Sequence, residues 1–464
     1  MSEVKALKKD RKKVIRGWIF YDWANSVYNL VISSAIFPIF YDSVTKKQYL
    51  TRVGREELLP KEEVLVSFFG HDISSASLFS YVLSLSFLFV SVLSPLLSGV
   101  ADYLGNRKFF LQFFCYLGSL SCITFMFFPD IPIELAMVSV FLASIGFWNS
   151  LVFYNAYLPE IAHPRMHDLI SARGFTMGYI GSMILLIICL LLITQIGPHI
   201  TKYCFPLVGI WWILFAQITF KTLPAPKKTV ERKADGKQRV ILSGMTELRK
   251  VFKEFRTMKK LKRFLISFFF YNTGVQTVML MAVLFAKQEI IWESEAQGSS
   301  GLIISILLIQ ILGAAGALLI SRISNKIGNI PTLKYVVFFW VLTVLSAYYI
   351  TKPLQFYFLA AAVGLVMGGV QALSRSTYSK MLPDTEDTTS YFSFYDVTEK
   401  IGIVLGTFFF GFANQLFGSM RYSVISIAVF FVIGLLLLLT IPKKDQVILY
   451  DDETDKSKEK DGSF

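Results

Sequence analysis

Charge is scarce in this sequence. Asp, Glu, Lys and Arg make up 17% of the 464 residues, against about 25% in an ordinary soluble domain, and the shortfall argues against a water-soluble globular protein. Cysteine and histidine are scarcer still, at four each. Cys115, Cys122, Cys189 and Cys204 lie in or beside apolar runs, with neither metal-ligand spacing nor the pattern of a secreted disulfide scaffold, so they read as buried side chains. His163 and His167 stand four apart in HPRMH, but that stretch follows a Leu-Pro-Glu turn, contains Pro164 and lacks the glutamate of a zinc-protease helix. No G-x-S-x-G element, Walker loop or dinucleotide fingerprint occurs in a fitting context, and the loops are too short for a soluble catalytic domain. No enzymatic activity, metal or cofactor is therefore expected. Nucleic-acid binding is excluded as well, because the net charge of +13 is not gathered on any folded basic domain.

What the chain has instead is apolar length: 54% hydrophobic residues, including 43 Phe, with a mean hydropathy of +0.54. The run Gly17–Tyr41 is long enough to cross a bilayer at 1.5 Å per residue, yet it carries Asp22, Asn25 and Asn29 at i, i+3, i+7, on one helix face. A carboxylate in hydrocarbon costs about 2.5–3.5 kcal/mol on insertion scales and normally faces a protein interior or wet cavity. The helix therefore needs partners. Its apolar run is too long for a signal h-region and lacks a small-x-small cleavage site, so it is expected to be retained as the first span.

Twelve spans are expected, near 17–41, 76–100, 108–128, 133–157, 169–195, 203–222, 263–286, 299–321, 332–351, 354–378, 391–416 and 421–442. They imply an all-α integral membrane protein. A basic head (1–16) and a linker (223–262) with Lys227, Lys228, Arg232 and Lys233 place both termini in the cytoplasm. The linker's Leu248, Val251, Phe252, Phe255, Met258 and Leu261 recur at helical spacing. Either an amphipathic helix on the inner leaflet or a solvated linker helix fits that pattern. The charged tail 443–464 is expected to be disordered.

The two halves, 17–222 and 263–442, echo each other. Asp102 and Gly105 in PLLSGVADYLGNRK correspond to Asn325 and Gly328 in LLISRISNKIGNI at a shift of 223. Leu158-Pro159-Glu160 recurs as Leu382-Pro383-Asp384, and Phe20-Tyr21-Asp22 as Phe270-Tyr271-Asn272. A duplicated six-helix unit, giving two pseudo-symmetric bundles, is the architecture of transporters that rock about a midplane site.

Gly99, Asp102, Gly105, Arg107 and Lys108 resemble the loop 2–3 signature of the major facilitator superfamily. Within it, Gly17-Trp18, Tyr21-Asp22-Trp23-Ala24-Asn25-Ser26 and Phe37-Pro38 resemble the first helix of the autophagy-related vacuolar effluxers and their bacterial relatives. Phe153-Tyr154-Asn155-Ala156, Ser171-Ala172-Arg173-Gly174, Gly368 to Ser376, and Phe394-Tyr395-Asp396-Val397 with Lys400 extend the resemblance over nearly all spans. It implies a major facilitator fold and, from the fungal members, amino-acid efflux. One departure is Thr273, where the family usually has Asp, which puts ion coupling at that helix in doubt.

Depth then sorts the polar residues. At 1.5 Å per residue, Asp22 lies about 8 Å from the cytoplasmic end, Arg173 roughly 6 Å, Arg375 near 5 Å, and Asp396, Glu399 and Lys400 about 8–15 Å. Opposite charges at one level suggest either an inner gate of ion pairs or a static brace. Asp102 is expected to approach the positive N-terminus of span eleven while Arg107 pairs across the loop. With Asn325 in place of the acid, the matching lock in the second half is expected to be weaker. The substrate-path set is Asp22, Asn25, Tyr28, Asn29, Trp148, Asn149, Asn272, Gln276, Gln310 and Gln371. As a set of amides and rings it suits a small zwitterion or polar organic solute; singly, each also fits a helix–helix hydrogen bond. Asp22, Asp396 or Glu399 could carry a coupling proton, and facilitated diffusion stays open beside it. A monomeric transporter in a bilayer, placed in a bacterial inner membrane, is the expectation. A facilitator of a sugar, nucleoside or drug, a channel, and a membrane-embedded enzyme are the alternatives.

Overall fold

The computed structural model describes residues 2–59, 62–224 and 237–441. The tail, and the linker's Lys227, Lys228, Arg232 and Lys233, lie outside the described residues. Among those described, eleven helices are long and apolar enough to span a membrane, or twelve counting one bent pair.

That bent pair is the first span, and it differs from the straight helix expected over 17–41. Helix α1 (Ser2–Val27) passes into π-helical turns over Tyr28–Ala35, and α2 (Phe37–Val53) leaves at 41°. Pro38 has no N–H to give to the preceding turn, and its ring crowds the carbonyl four residues back. The chain widens just before it, with Ile36 N donating to Val31 O at 2.9 Å, an i→i−5 bond. An antiparallel hairpin, β1 (Leu65–Phe68) and β2 (His71–Ser74), follows α2.

The remaining spans fall close to expectation: α3 (Ser75–Leu104), α4 (Arg107–Thr124), α5 (Ile133–Asn155), then, after the single turn α6 (Leu158–Ile161), α7 (His167–Ile196) and α8 (Thr201–Thr222). Linker helix α9 (Lys237–Thr257) leads to α10 (Lys259–Glu289), α11 (Glu295–Ile327), α12 (Asn329–Ala347), α13 (Pro353–Met381), α14 (Thr388–Phe417) and α15 (Met420–Leu439). One aromatic-rich core, with Trp18, Phe37, Phe205 and Trp212, joins α1 to α8, the N-lobe; a second, with Tyr271, Trp340 and Phe431, joins α10 to α15, the C-lobe.

Helix α9 packs part of its apolar side on protein: Val251 is fully buried and Phe255 lies 5.5 Å from the ring of Phe394 on α14, while Phe252, 5.9 Å from that ring, and Leu242 stay exposed. On α3, a Cβ at Gly99 would come within 2.3 Å of the Gly244 carbonyl, so the two backbones touch only because both positions are bare. Lys250 pairs with Asp387 at 3.2 Å and Glu247 at 3.0 Å. Helix α9 therefore spans both lobes at the end that carries the N-terminus.

Candidate functional site

A buried inter-lobe ion pair starts from Asp22. Its Oδ2 accepts from Tyr154 Oη at 2.9 Å and from Arg375 Nη2 at 3.1 Å. Arg375 comes from α13 in the C-lobe, and its remaining donors are taken by the N-lobe: Nε by Ser171 Oγ at 2.9 Å, Nη2 also by Ser171 O at 3.0 Å, Nη1 by Asn155 Oδ1 at 3.3 Å. The rings of Phe175, Trp18 and Tyr154 surround the guanidinium at 4.2, 4.9 and 5.6 Å. Asp22 and Arg375 are 5% and 3% exposed. At that burial an ion pair persists only if its other lone pairs and protons are satisfied. The bare face of Gly174 makes room, since a Cβ there would sit 2.2 Å from Asp22 Oδ2.

Two further contacts flank this pair on opposite seams. At the α3/α14 seam, Asp102 accepts from Ser390 N and Ser390 Oγ, both at 2.7 Å, and from Thr389 N at 3.3 Å, meeting free amides at the positive end of α14. Arg107 donates to Thr388 Oγ1 at 2.6 Å and Glu386 O at 2.9 Å and pairs with Glu160 at 2.8 Å. Gly105 turns the chain between them at φ 62°, and Lys108 donates to Leu223 O, closing the end of α8. The α7/α11 seam corrects the expectation of a weaker second lock. Asn325 is exposed there, and the acid comes from the opposite lobe. Asp168 on α7 pairs with Lys380 at 2.8 Å and accepts from Ser324 Oγ at 2.6 Å and Asn329 Nδ2 at 2.8 Å. Beside it, buried His167 bonds Ala162 O and Ser379 Oγ.

The expected single lattice of charges is thus two groups. Asp22 and Arg375 form one. Asp396, Glu399 and Lys400 form the other along α14, with Lys400 Nζ 2.8 Å from Asp396 and 3.3 Å from Glu399. Lys400 is fully buried, 3.6 Å above the ring of Trp148 on α5, so this group too touches both lobes. Gln276 donates to Glu399 at 2.6 Å. Arg173 belongs to neither group: it is exposed on the side of α7 away from Ser171, with no hydrogen bond or ion pair among the described residues.

The path set divides similarly. Tyr179 Oη donates to Gln371 at 2.8 Å, and Ser182 Oγ approaches Gln310 at 3.4 Å, both across the seam. Asn25 and Asn272 are buried, each with an amide nitrogen that has no partner among the described residues. Asn29 is half-buried in the π-helical stretch, whose Ser34 hydroxyl bonds the Asn29 carbonyl. Tyr28 and Asn149 correct the expectation. Tyr28 stacks on Phe147 at 4.6 Å and meets the tilted ring of Trp212 at 6.1 Å inside the N-lobe, and Asn149 donates to its own helix at Ile145 O.

Tyr154, Asn155, Ser171, Asp168, Ser324, Asn329 and Lys380 complete the inter-lobe contacts and were not singled out from sequence as site residues. The first three lie within or beside sequence blocks that carry the family resemblance. The others are ordinary polar residues at helix ends, and only tertiary contact unites them.

Residues 10–446 match the family described as "Vacuole effluxer Atg22 like". "Uncharacterized MFS-type transporter YxiO" of Bacillus subtilis (strain 168) is 28% identical over 447 residues, covering 94% of this chain and 97% of that one. "Autophagy-related protein 22" of Coccidioides immitis (strain RS) is 25% identical over 509 residues, with 88% and 83% covered. The fold is similar to that of the human organic anion transporter MFSD10 (TETRAN), with a TM-score of 0.65 at 13% identity over 93% of this chain and 99% of that one.

Proposed function

This chain belongs to the Atg22-like effluxer family of major facilitator transporters, and we propose that it exports a small amino-acid-like solute by alternating access. The observation that carries the reading is the buried Asp22–Arg375 pair, one partner from each lobe. Such a pair adds little net stability once desolvation is counted, but it discriminates sharply between joined and separated states. With Asp102 and Asp168 holding the two flanking seams, the lobes are shut at the end bearing the N-terminus and α9. Placed in a bacterial inner membrane with the termini inside, this is the cytoplasm-closed state, and all three contacts break when that side opens.

The solute site lies above the pair, around Lys400, Glu399, Trp148 and Gln276. An ammonium and a carboxylate on adjacent residues of α14 suit a zwitterion: Lys400 attracts its carboxylate, Glu399 its ammonium, and Trp148 offers an apolar face. Asn25, Asn29, Asn272, Gln310 and Gln371 extend the path. Asp396 is the seat of a coupling proton, because two carboxylates share one ammonium and Asp396 Oδ2 is buried with no partner among the described residues. The description of the matching family, "Vacuole effluxer Atg22 like", supports efflux as the direction. One chain supplies both lobes, so the transporter works as a monomer.

The test is counterflow in proteoliposomes. A labelled L-amino-acid mixture should exchange against internal unlabelled mixture, and net efflux of the mixture down its gradient should change the luminal pH, whereas labelled sugars and nucleosides should not exchange. Exchange of the sugars alone would replace the solute class, and flux without exchange would point to a channel.

A further inference from the structure

Arg173 is chemically out of place. A guanidinium stays charged, offers five donors and is costly inside an apolar span. Yet Arg173 sits four residues before Met177 and seven before Ile180, on the side of α7 that continues through exposed Ile187, Ile188 and Leu191, and no acceptor reaches it among the described residues. On the helices that flank it, Arg16 and Arg322 are likewise exposed and without a hydrogen bond or ion pair among the described residues.

The register follows from close contacts. Helices α1 and α7 pack with Asp22 against Gly174 and Ser26 against Gly178, so they run parallel. Arg16, exposed on α1, therefore stands level with the first turn of α7. Helix α11 runs the other way, with Ala314 O bonded to Thr176 and Ser324 to Asp168, which brings exposed Arg322 to the same level. Arg173 lies about 5–8 Å deeper at 1.5 Å per residue, a drop that an arginine spans when it snorkels toward the headgroups. Three cationic forks on three neighbouring helices, with α7 standing between α1 and α11, thus lie near one level on the same exposed face. Planar guanidinium groups bind phosphate oxygens in pairs, and the groups around that face, Phe20, Met177 and Ile180, are apolar and half-buried.

We propose that the exposed face of α7, flanked by α1 and α11, binds the phosphate of an anionic phospholipid, with Arg173 as its central ligand and Arg16 and Arg322 on either side. The site crosses the α7/α11 seam, just outside Asp168, Ser324 and Lys380. A bound headgroup joins the lobes on the lipid side while the Asp168 contacts join them within, so the lipid favours the closed state. Binding itself does not depend on which solute is carried.

The experiment uses the full chain in a neutral maltoside detergent, with thermal unfolding followed by tryptophan fluorescence. Phosphatidylglycerol should raise the midpoint by several degrees, while phosphatidylcholine and glycerol phosphate should leave it in place. In Arg173→Gln with Arg322→Gln the shift should fall at least twofold; Lys253→Gln with Arg256→Gln, on exposed α9 positions, should keep it whole. A full shift in the Arg173/Arg322 variant, no shift in the wild type, or an equal effect of phosphatidylcholine would overturn the proposal. Equal action by glycerol phosphate would show a soluble-anion site and overturn it too. Should the double variant not fold, native mass spectrometry of Arg16→Gln and Arg173→Gln decides: each should retain fewer phosphatidylglycerol molecules than the wild type, and unchanged retention refutes the site.

Discussion

Replacing Asp22 by Asn removes one charge from the pair that, in the proposed cycle, exists only while the lobes are closed at the N-terminal end. Breaking a buried ion pair from one side costs about 3–5 kcal/mol. Arg375 keeps its bonds to Ser171 Oγ, Ser171 O and Asn155 and its three aromatic neighbours, and an Asn oxygen can still accept from Tyr154. The loss should therefore fall at the lower end, about 3 kcal/mol, which at 1.4 kcal/mol per decade shifts the closed-to-open ratio about a hundredfold. Spin labels at Leu104 and Asp384, exposed positions on the two lobes, report the ratio by double electron–electron resonance. The Asn variant should move population from a short to a long distance. Combining Asp22→Asn with Arg375→Gln should move part of it back, because no charge is then left buried alone. Identical distance distributions in the wild type and the Asn variant would refute the reasoning, since the pair would then brace each lobe and not discriminate between states.

Three other substitutions test separate parts of the account. Gly174→Ala puts a methyl 2.2 Å from Asp22 Oδ2; overpacking of about 1–3 kcal/mol should lower the unfolding midpoint and displace Asp22, with amino-acid exchange falling in parallel. Lys400→Met leaves Asp396 and Glu399 without their cation, so both stability and exchange should drop; adding Asp396→Asn should restore the melting temperature but not the exchange. At the opposite end of the protein, the Arg55 guanidinium, with the Leu59 amide and the Tyr49 hydroxyl, holds the Glu62 carboxyl down at about 2. A depressed carboxylate stabilises its loop above the unfolded value near 4.3 and loses that contribution as pH falls toward 2. A fluorophore on Leu59→Cys should report constant emission from pH 7 to 5 and a change between about 4 and 2, absent in Glu62→Gln.

Much of this molecule is legible in its sequence, because lipid imposes simple rules. Apolar runs of membrane length gave the spans α3 to α8 and α10 to α15 within a few residues. A carboxylate inside such a run marked Asp22 as a residue needing company. Asp102 could be aimed at the start of α14 because helix ends carry free amides. What stayed hidden is contact between distant residues. Periodicity shows that Asp22 has a partner but not whether Arg375 or Arg173 supplies it; helix rotation decides, and a turn of α7 sends Arg173 to the exposed side and Ser171 to the site. Asp168 escaped notice because a carboxylate at a helix N-terminus is ordinary until Lys380, Ser324 and Asn329 arrive from the other lobe. Pro38 was visible, but the π-helical widening before it depends on how the neighbouring helices hold α1. Tyr28 and Asn149 show the converse error, since polar side chains at midplane depth can turn into one bundle, Tyr28 onto Phe147 and Asn149 Nδ2 onto Ile145 O.

The most direct test locks the end that bears the N-terminus and asks whether anything still crosses. Ser390 Oγ lies 2.7 Å from Asp102 Oδ2, so Asp102→Cys with Ser390→Cys places two thiols across the seam that must part on opening. In proteoliposomes, counterflow of a labelled L-amino-acid mixture should proceed in reductant, stop on oxidation to the disulfide and resume on reduction. Undiminished exchange through the oxidised protein would contradict alternating access at this seam.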